Sequence, residues 1–165
     1  MTRDVLVRAA GPEDAEGFVT AHEAAWDAAM GEIVGRRLEE LAPFAQRVDH
    51  ARASLEQTSE AAGAWVAERS GEIVGIAVAV RATPKSVELR DLYVLPSAWG
   101  TGVAPPLLDA ALDGVRGDAT DAYLWVVEAN ARARRFYERE GWSTEGESRQ
   151  SPLGPTELRY RLALD

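Results

Sequence analysis

The segment Leu92-Tyr93-Val94-Leu95-Pro96-Ser97-Ala98-Trp99-Gly100-Thr101-Gly102-Val103-Ala104 runs from an apolar strand into a glycine-bearing loop, and a helix opens directly after it. Gly100 and Gly102 let the backbone turn so that successive N–H groups face one point. The helix N-terminus adds its partial positive charge, so the junction suits an anion such as a pyrophosphate. Its spacing fits neither common nucleotide motif. No Gly-Lys-Ser/Thr is present, which excludes a P-loop. The third position after Gly102 is Pro105, where a Rossmann fingerprint requires glycine.

Upstream of this segment lie strand-like runs over Ala64–Glu68, Ile73–Val80 and Ser86–Leu95, the first two joined by a Ser70-Gly71 turn. Three strands in succession form a meander. Downstream, a helix over about Pro105–Val115 leads to a strand over Ala122–Val127, and a strand-helix-strand unit demands a parallel neighbour. A helix over Ala131–Glu140 and strands starting at Trp142 and Glu157 complete that end. The last strand alternates apolar and polar residues, as one with a wet face does.

Ahead of the meander, Val5–Arg8 is a first strand. Pro12, followed by Glu13, Asp14 and Glu16, opens a helix. Phe18, Val19, His22, Ala25, Trp26 and Met30 recur at helical spacing until Gly31 and Gly35 interrupt them. A second helical stretch over Arg36–Glu60 breaks at Pro43 and buries Leu38, Leu41, Phe44, Val48 and Leu55. The order β-α-α-β-β-β-α-β-α-β-β predicts an α/β fold (α+β by some schemes). Its sheet is mixed, mostly antiparallel and twisted, with six to seven strands and helices on both faces. Residues 1–165 are expected to form a single domain.

A second segment, Leu124-Trp125-Val126-Val127-Glu128-Ala129-Asn130-Ala131-Arg132-Ala133-Arg134-Arg135-Phe136-Tyr137-Glu138-Arg139-Glu140-Gly141-Trp142, carries a strand into a basic helix. Asn130 suits the N-cap and Gly141 the position that ends the helix. Tyr137 lies two turns after Asn130 and shares its face.

Together the two segments resemble the GNAT superfamily of N-acetyltransferases, in the right order and about thirty residues apart. That family's loop is written Arg/Gln-x-x-Gly-x-Gly/Ala and stands here as Trp99 to Ala104; its Asn-to-Tyr helix stands here as Asn130 to Tyr137. The resemblance covers essentially the whole chain. It implies acetyl-CoA as cofactor and acetyl transfer to an amine. Leu92, Tyr93 and Val94 are then the backbone that pairs with the pantetheine arm, and the Val94 N–H is the donor to the thioester oxygen. Gly100, Thr101, Gly102, Val103, Ala104 and Pro105 wrap the pyrophosphate. Asn130 hydrogen-bonds the pantetheine, Tyr137 protonates the departing thiolate, and Arg132 or Arg135 meets the 3′-phosphate. Glu88, on the strand leading to the cofactor, is the candidate base. Asp91, three residues on, is expected to face the other side of that strand.

The sequence departs from the family pattern in two places, at Trp99 and at Pro105-Pro106. Trp99 stands where Arg or Gln is usual, which removes a charge-assisted phosphate contact and leaves an aromatic to cover the cofactor. Pro105 and Pro106 each remove a backbone donor from the first helical turn.

Composition narrows the reading. Eighteen Lys plus Arg against twenty-seven Asp plus Glu give a net charge of −9, which argues against general binding of nucleic acid or anionic membrane. The chain has no cysteine, which excludes disulfides, thiolate zinc sites and an acyl-Cys intermediate. Two histidines are too few for a three-His site, and no metal is expected. There is no Gly-x-Ser-x-Gly elbow of a serine hydrolase. The N-terminus lacks an apolar signal region, and Ile73–Val80 is too short to span a bilayer, so a soluble cytoplasmic domain is expected. The expected partner is a small-molecule amine acceptor. A protein N-terminus or lysine, or acyl-CoA binding without turnover, are the alternatives. Dimerisation is common in the family, and an edge strand near the C-terminus offers a surface for a homodimer.

Overall fold

In the computed structural model, which describes residues 4–165, the alternating apolar runs become a seven-stranded sheet. Its strands are β1 (Val5–Ala9), β2 (Ala62–Arg69), β3 (Glu72–Thr83), β4 (Ser86–Val94), β5 (Asp121–Val127), β6 (Ser143–Gln150) and β7 (Thr156–Ala163). They lie in the order β1-β2-β3-β4-β5-β7-β6. Every pair is antiparallel except β4 with β5, the neighbour that the helical crossover required. The Ser70-Gly71 turn has φ of 54° and 80°, the left-handed pair that a two-residue hairpin uses.

Both faces of the sheet are covered. On one, α4 (Ala104–Val115) sets Leu107, Leu108, Ala111, Leu112 and Val115 against Ala77, Ala79, Val87, Leu89 and Leu124. On the other, α1 (Ala15–Val34) and α3 (Phe44–Glu56) bury Phe18, Val19, Val48 and Leu55 against Val66 and Ile76. The far half of α1 reaches β5, where Trp26 and Met30 pack on Val127. A Cβ on Gly114 would lie 2.1 Å from the Trp65 ring, so a missing side chain on α4 sets how closely it approaches β2.

The entry to α1 is pinned by charge. Arg8 donates from both terminal nitrogens to the Asp14 carboxylate at 2.8 Å, and Asp14 also accepts the Gly11 N–H at 2.8 Å. These bonds, led by Arg8, hold the buried Asp14 carboxyl below the usual carboxylate range.

Three expectations change in detail. α1 passes through Gly31 and stops at Gly35, whose φ of 76° is the left-handed turn that ends a helix. The second helical stretch breaks at Pro43 as expected, into α2 (Leu38–Leu41) and α3, but ends at Glu56 rather than Glu60. Phe44 is 40% exposed, with Arg47 over its ring, and is not core.

Two features of β4 open space beside it. It pairs with β5 only at Ser86, Val87 and Glu88, and beyond that the strands part. Opposite β3, Asp91 faces Val78 and Leu89 faces Ala79, so Arg90 is an extra residue that bulges and bends β4. Among the described residues no helix is long and apolar enough to cross a membrane.

Candidate active site

The gap between β4 and β5 opens into a groove of about 520 Å³ bounded by α1, the loop before α4, and α5 (Ala131–Arg139). The peptide groups of β4 alternate in direction. The Leu95 N–H donates to Val74 of β3 at 2.9 Å, so Tyr93 also turns its peptide groups to β3, while those of Leu92 and Val94 point into the gap. The Val94 carbonyl bears this out, because it accepts the Trp99 indole N–H at 2.8 Å on that open side. The Val94 N–H points the same way.

The loop offers a second set of donors. Gly100 and Gly102 have φ of 70° and 85°, and an added Cβ at either would meet nothing within 4 Å. Backbone conformation, not space, requires glycine there. Among the described residues the N–H groups of Gly100, Gly102, Val103 and Ala104 donate to no backbone carbonyl. Pro105 and Pro106 occupy the first turn of α4, where N–H groups have no helical partner, so the helix tolerates them and the donor set is smaller by two.

α5 closes the other wall. Asn130 caps it, accepting the Ala133 N–H at 3.2 Å, and directs its amide nitrogen toward the Met30 sulfur at 3.9 Å. Tyr137 is buried, its ring 5.3 Å from Phe136 and 5.8 Å from Trp142. Its hydroxyl bonds no described residue, and burial pushes its pKa up, so it keeps its proton. The Arg132 guanidinium lies 3.3 Å from the centre of the Trp99 ring and joins α5 to the loop.

The groove thus collects Leu92, Tyr93, Val94, Trp99, Gly100, Gly102, Val103, Ala104, Pro105, Asn130, Arg132 and Tyr137. Thr101 and Arg135 are not in its lining. Thr101 turns its hydroxyl to the Ala98 carbonyl at 2.6 Å and accepts Arg69 at 2.9 Å. Ala133, Phe136, Arg139 and Glu140 line the groove and were not singled out from sequence. Helical spacing could have found Ala133, Phe136 and Glu140, since 133, 136, 137 and 140 repeat at i, i+3, i+4 and i+7. Ala28 and Ala29 of α1 also line it, and no sequence signal marks them.

A second cavity of about 660 Å³ lies between α1, α3 and strands β2 to β4. His22 and Asp91 open into it, and neither side chain bonds any described residue. The bulge at Arg90 corrects the expectation for Asp91. One extra residue shifts the alternation, so Asp91 lies on the same face as Glu88, three residues earlier. Glu88 lines neither cavity. It accepts the Tyr123 hydroxyl at 2.9 Å and lies 3.7 Å from Arg90.

Burial pushes the His22 pKa below its ordinary value against the pull of Asp91, and burial raises that of Asp91. A neutral imidazole that can accept a proton therefore stands beside a carboxyl group whose ionisation burial opposes. His22 also packs on Tyr93, with ring centres 5.1 Å apart. His22 lines one cavity and Tyr93 the other, so this ring pair stands between the two spaces.

Known proteins share both the sequence pattern and the fold. An uncharacterized N-acetyltransferase of Mycobacterium tuberculosis is 38% identical over 81 residues, 48% of this chain and 52% of that protein. One of Archaeoglobus fulgidus is 37% identical over 82 residues, 46% of this chain and 56% of that protein. The chain thus spans about half the length of the curated relatives it matches. The PaiA N-acetyltransferase of Thermoplasma acidophilum, solved in complex with coenzyme A, shares the fold with a TM-score of 0.75 at 15% identity, covering 98% of this chain and 99% of that one. YncA of Salmonella typhimurium, solved with its cofactor acetyl-CoA, does so with a TM-score of 0.72 at 17% identity, covering 98% and 95%. The model of the Acetyltransferase (GNAT) family matches residues 18–142, well over half of the chain and inclusive of both the Gly100–Gly102 loop and the Asn130–Tyr137 helix, and the chain belongs to that family.

Proposed function

We propose that the chain transfers an acetyl group from acetyl-CoA to a primary amine of a small molecule. One observation carries this reading. A groove edged by open backbone donors and a cavity ending in an unpaired carboxyl group and imidazole lie on either side of the His22–Tyr93 ring pair. Family membership supports acetyl-CoA as the donor.

The groove fits that cofactor. The free N–H groups of Gly100, Gly102, Val103 and Ala104, with the Arg132 and Arg139 charges, suit a diphosphate. The open peptide edges of Leu92 and Val94, and the amide of Asn130, suit the amides of a pantetheine arm. Arg132, which lines the groove, is the better candidate than Arg135 for the 3′-phosphate. Trp99 covers the groove where the usual family residue would offer charge.

When bound, acetyl-CoA supplies an acetyl group activated as a thioester. The incoming amine must lose its proton, since a free ammonium has a pKa of about 10.4. His22 accepts that proton at a ring nitrogen, with Asp91 steadying the imidazolium. The Val94 N–H donates to the acetyl oxygen as negative charge grows there. Tyr137 gives its hydroxyl proton to the sulfur as the C–S bond breaks and the C–N bond forms. From ammonium to amide the nitrogen gives up two protons, which His22 passes to solvent in turn. One proton returns to the sulfur by way of Tyr137, so the net reaction releases one. Glu88, the base implied by the family resemblance, is occupied by Tyr123 and Arg90, so the base is assigned to His22.

Calorimetric titration with CoA tests the groove. Saturable binding below millimolar concentration is expected, and no heat at millimolar CoA would overturn the reading.

A further inference from the structure

The second cavity carries information about the acceptor that the family does not supply. Its charged lining is nearly self-neutralised. Arg47 gives one terminal nitrogen to Glu23 at 2.6 Å and its Nε to the Ala42 carbonyl at 2.9 Å, and its other terminal nitrogen is buried without a partner among the described residues. Arg90 lies 3.7 Å from Glu88. Among the described residues Asp91 has no cation within ion-pair distance, and it lines the cavity. A bound ammonium would supply that counter-charge and favour the ionised form of Asp91, next to the place where the groove begins. Away from Asp91 the walls are apolar, formed by Phe18, Val19, Leu55, Val78 and Val80. The mouth along α3 carries neutral polar groups such as Gln46 and Ser54. The volume of about 660 Å³ is within the range of pockets that enclose a small organic ligand.

We infer that the acceptor is a primary monoamine with an apolar body, bound ammonium-first on Asp91 with its body between α1, α3 and β3. This rests on the acetyl-transfer reading above. The same charges exclude related amines. An α-amino acid would bring a carboxylate within two bonds of its ammonium, beside Asp91, and the cations of the lining, Arg47 and Arg90, already have Glu23 and Glu88 as counter-charges. A diamine would leave its second ammonium among apolar walls with no carboxylate. A peptide N-terminus would bury amide groups there without partners.

The test is calorimetry on the full chain with CoA present. It uses the matched probes phenethylamine and phenylalanine, then pentylamine and 1,5-diaminopentane. Phenethylamine is expected to bind at least about tenfold tighter than phenylalanine, and pentylamine at least as tightly as the diamine. Asp91→Asn is expected to weaken phenethylamine by at least about tenfold while leaving Tm unchanged or raised, because it removes a desolvated carboxylate that no described residue pairs. Equal or tighter binding of phenylalanine, or tighter binding of the diamine, overturns the proposal. So does an Asp91→Asn variant that binds phenethylamine normally, and so does heat from none of the four probes.

Binding and turnover separate the two readings. Phenethylamine held through Asp91 with no thiol released from acetyl-CoA sustains the monoamine assignment and overturns acetyl transfer. Thiol release that prefers the amino acid or the diamine overturns the monoamine assignment and sustains acetyl transfer.

Discussion

The groove and the cavity lie on either side of one ring pair, yet they are built from different materials. The groove is made of backbone. Its donors are peptide N–H groups freed by two left-handed glycines, a helix start and a strand that has lost its neighbour. The cavity is made of side chains carried in by α1, α3 and three strands. Peptide donors serve any ligand with the right spacing of oxygens, so the groove can hold a cofactor that many chains share. Side chains vary freely from chain to chain, so the cavity is where one acceptor is told from another.

The difference can be tested from both sides. Removing the Tyr137 hydroxyl with Tyr137→Phe should lower kcat about 10²–10⁴-fold and leave CoA affinity unchanged by calorimetry. An unchanged kcat would take the acid out of the groove. On the cavity side, His22→Gln should lower kcat about a hundredfold. It should also abolish the acid limb of the pH profile. In the unmodified chain kcat/KM should fall as pH drops through a value below the ordinary 6.5, because burial favours the neutral imidazole and only that form accepts a proton. The charges facing His22 are Asp91, Arg47, Asp27 and Glu23, and their net attraction limits how far below 6.5 the limb lies. A limb that persists in His22→Gln would move the base elsewhere.

Two smaller effects separate backbone from side chain further. Asp14→Asn breaks the Arg8 pair that seats α1 and should cost about 2 kcal/mol, or roughly 4–8 °C in Tm. Asp14 has a folded pKa below its unfolded 3.8, so its contribution is complete above 3.8 and is lost as pH falls through the folded value. The Asn variant should therefore unfold with less acid dependence, and identical acid transitions would contradict the assignment. Gly102→Ala forces a side chain into φ of 85° at about 1–2 kcal/mol, although it meets no neighbour. CoA binding should weaken about tenfold while amine binding in the cavity is untouched.

The same division governs what could be read in advance. The groove was legible because its requirements fall on residue type within two short segments. These are glycine at 100 and 102, an N-cap at 130 and a tyrosine two turns on. The cavity was not, because it depends on register. The bulge at Arg90 moves Asp91 onto the face of Glu88, and no local pattern in Glu88-Leu89-Arg90-Asp91 announces an extra residue. For the same reason the base was sought at Glu88, which the parallel neighbour β5 occupies through Tyr123. Gly114 shows the limit elsewhere in the fold. Alone it is a weak helix residue, and its role appears only when Trp65 of β2 lies where its Cβ would be.

In the proposed reaction an amine from the cavity takes the acetyl group held in the groove. Following thiol release from acetyl-CoA by the full chain, with phenethylamine added or omitted, and weighing the amine afterwards by mass spectrometry, tests it most directly. Release that requires the amine and matches the N-acetylated product mole for mole is the expected result. Thiol released equally without amine, or no release while acetyl-CoA and amine are both bound, would contradict it.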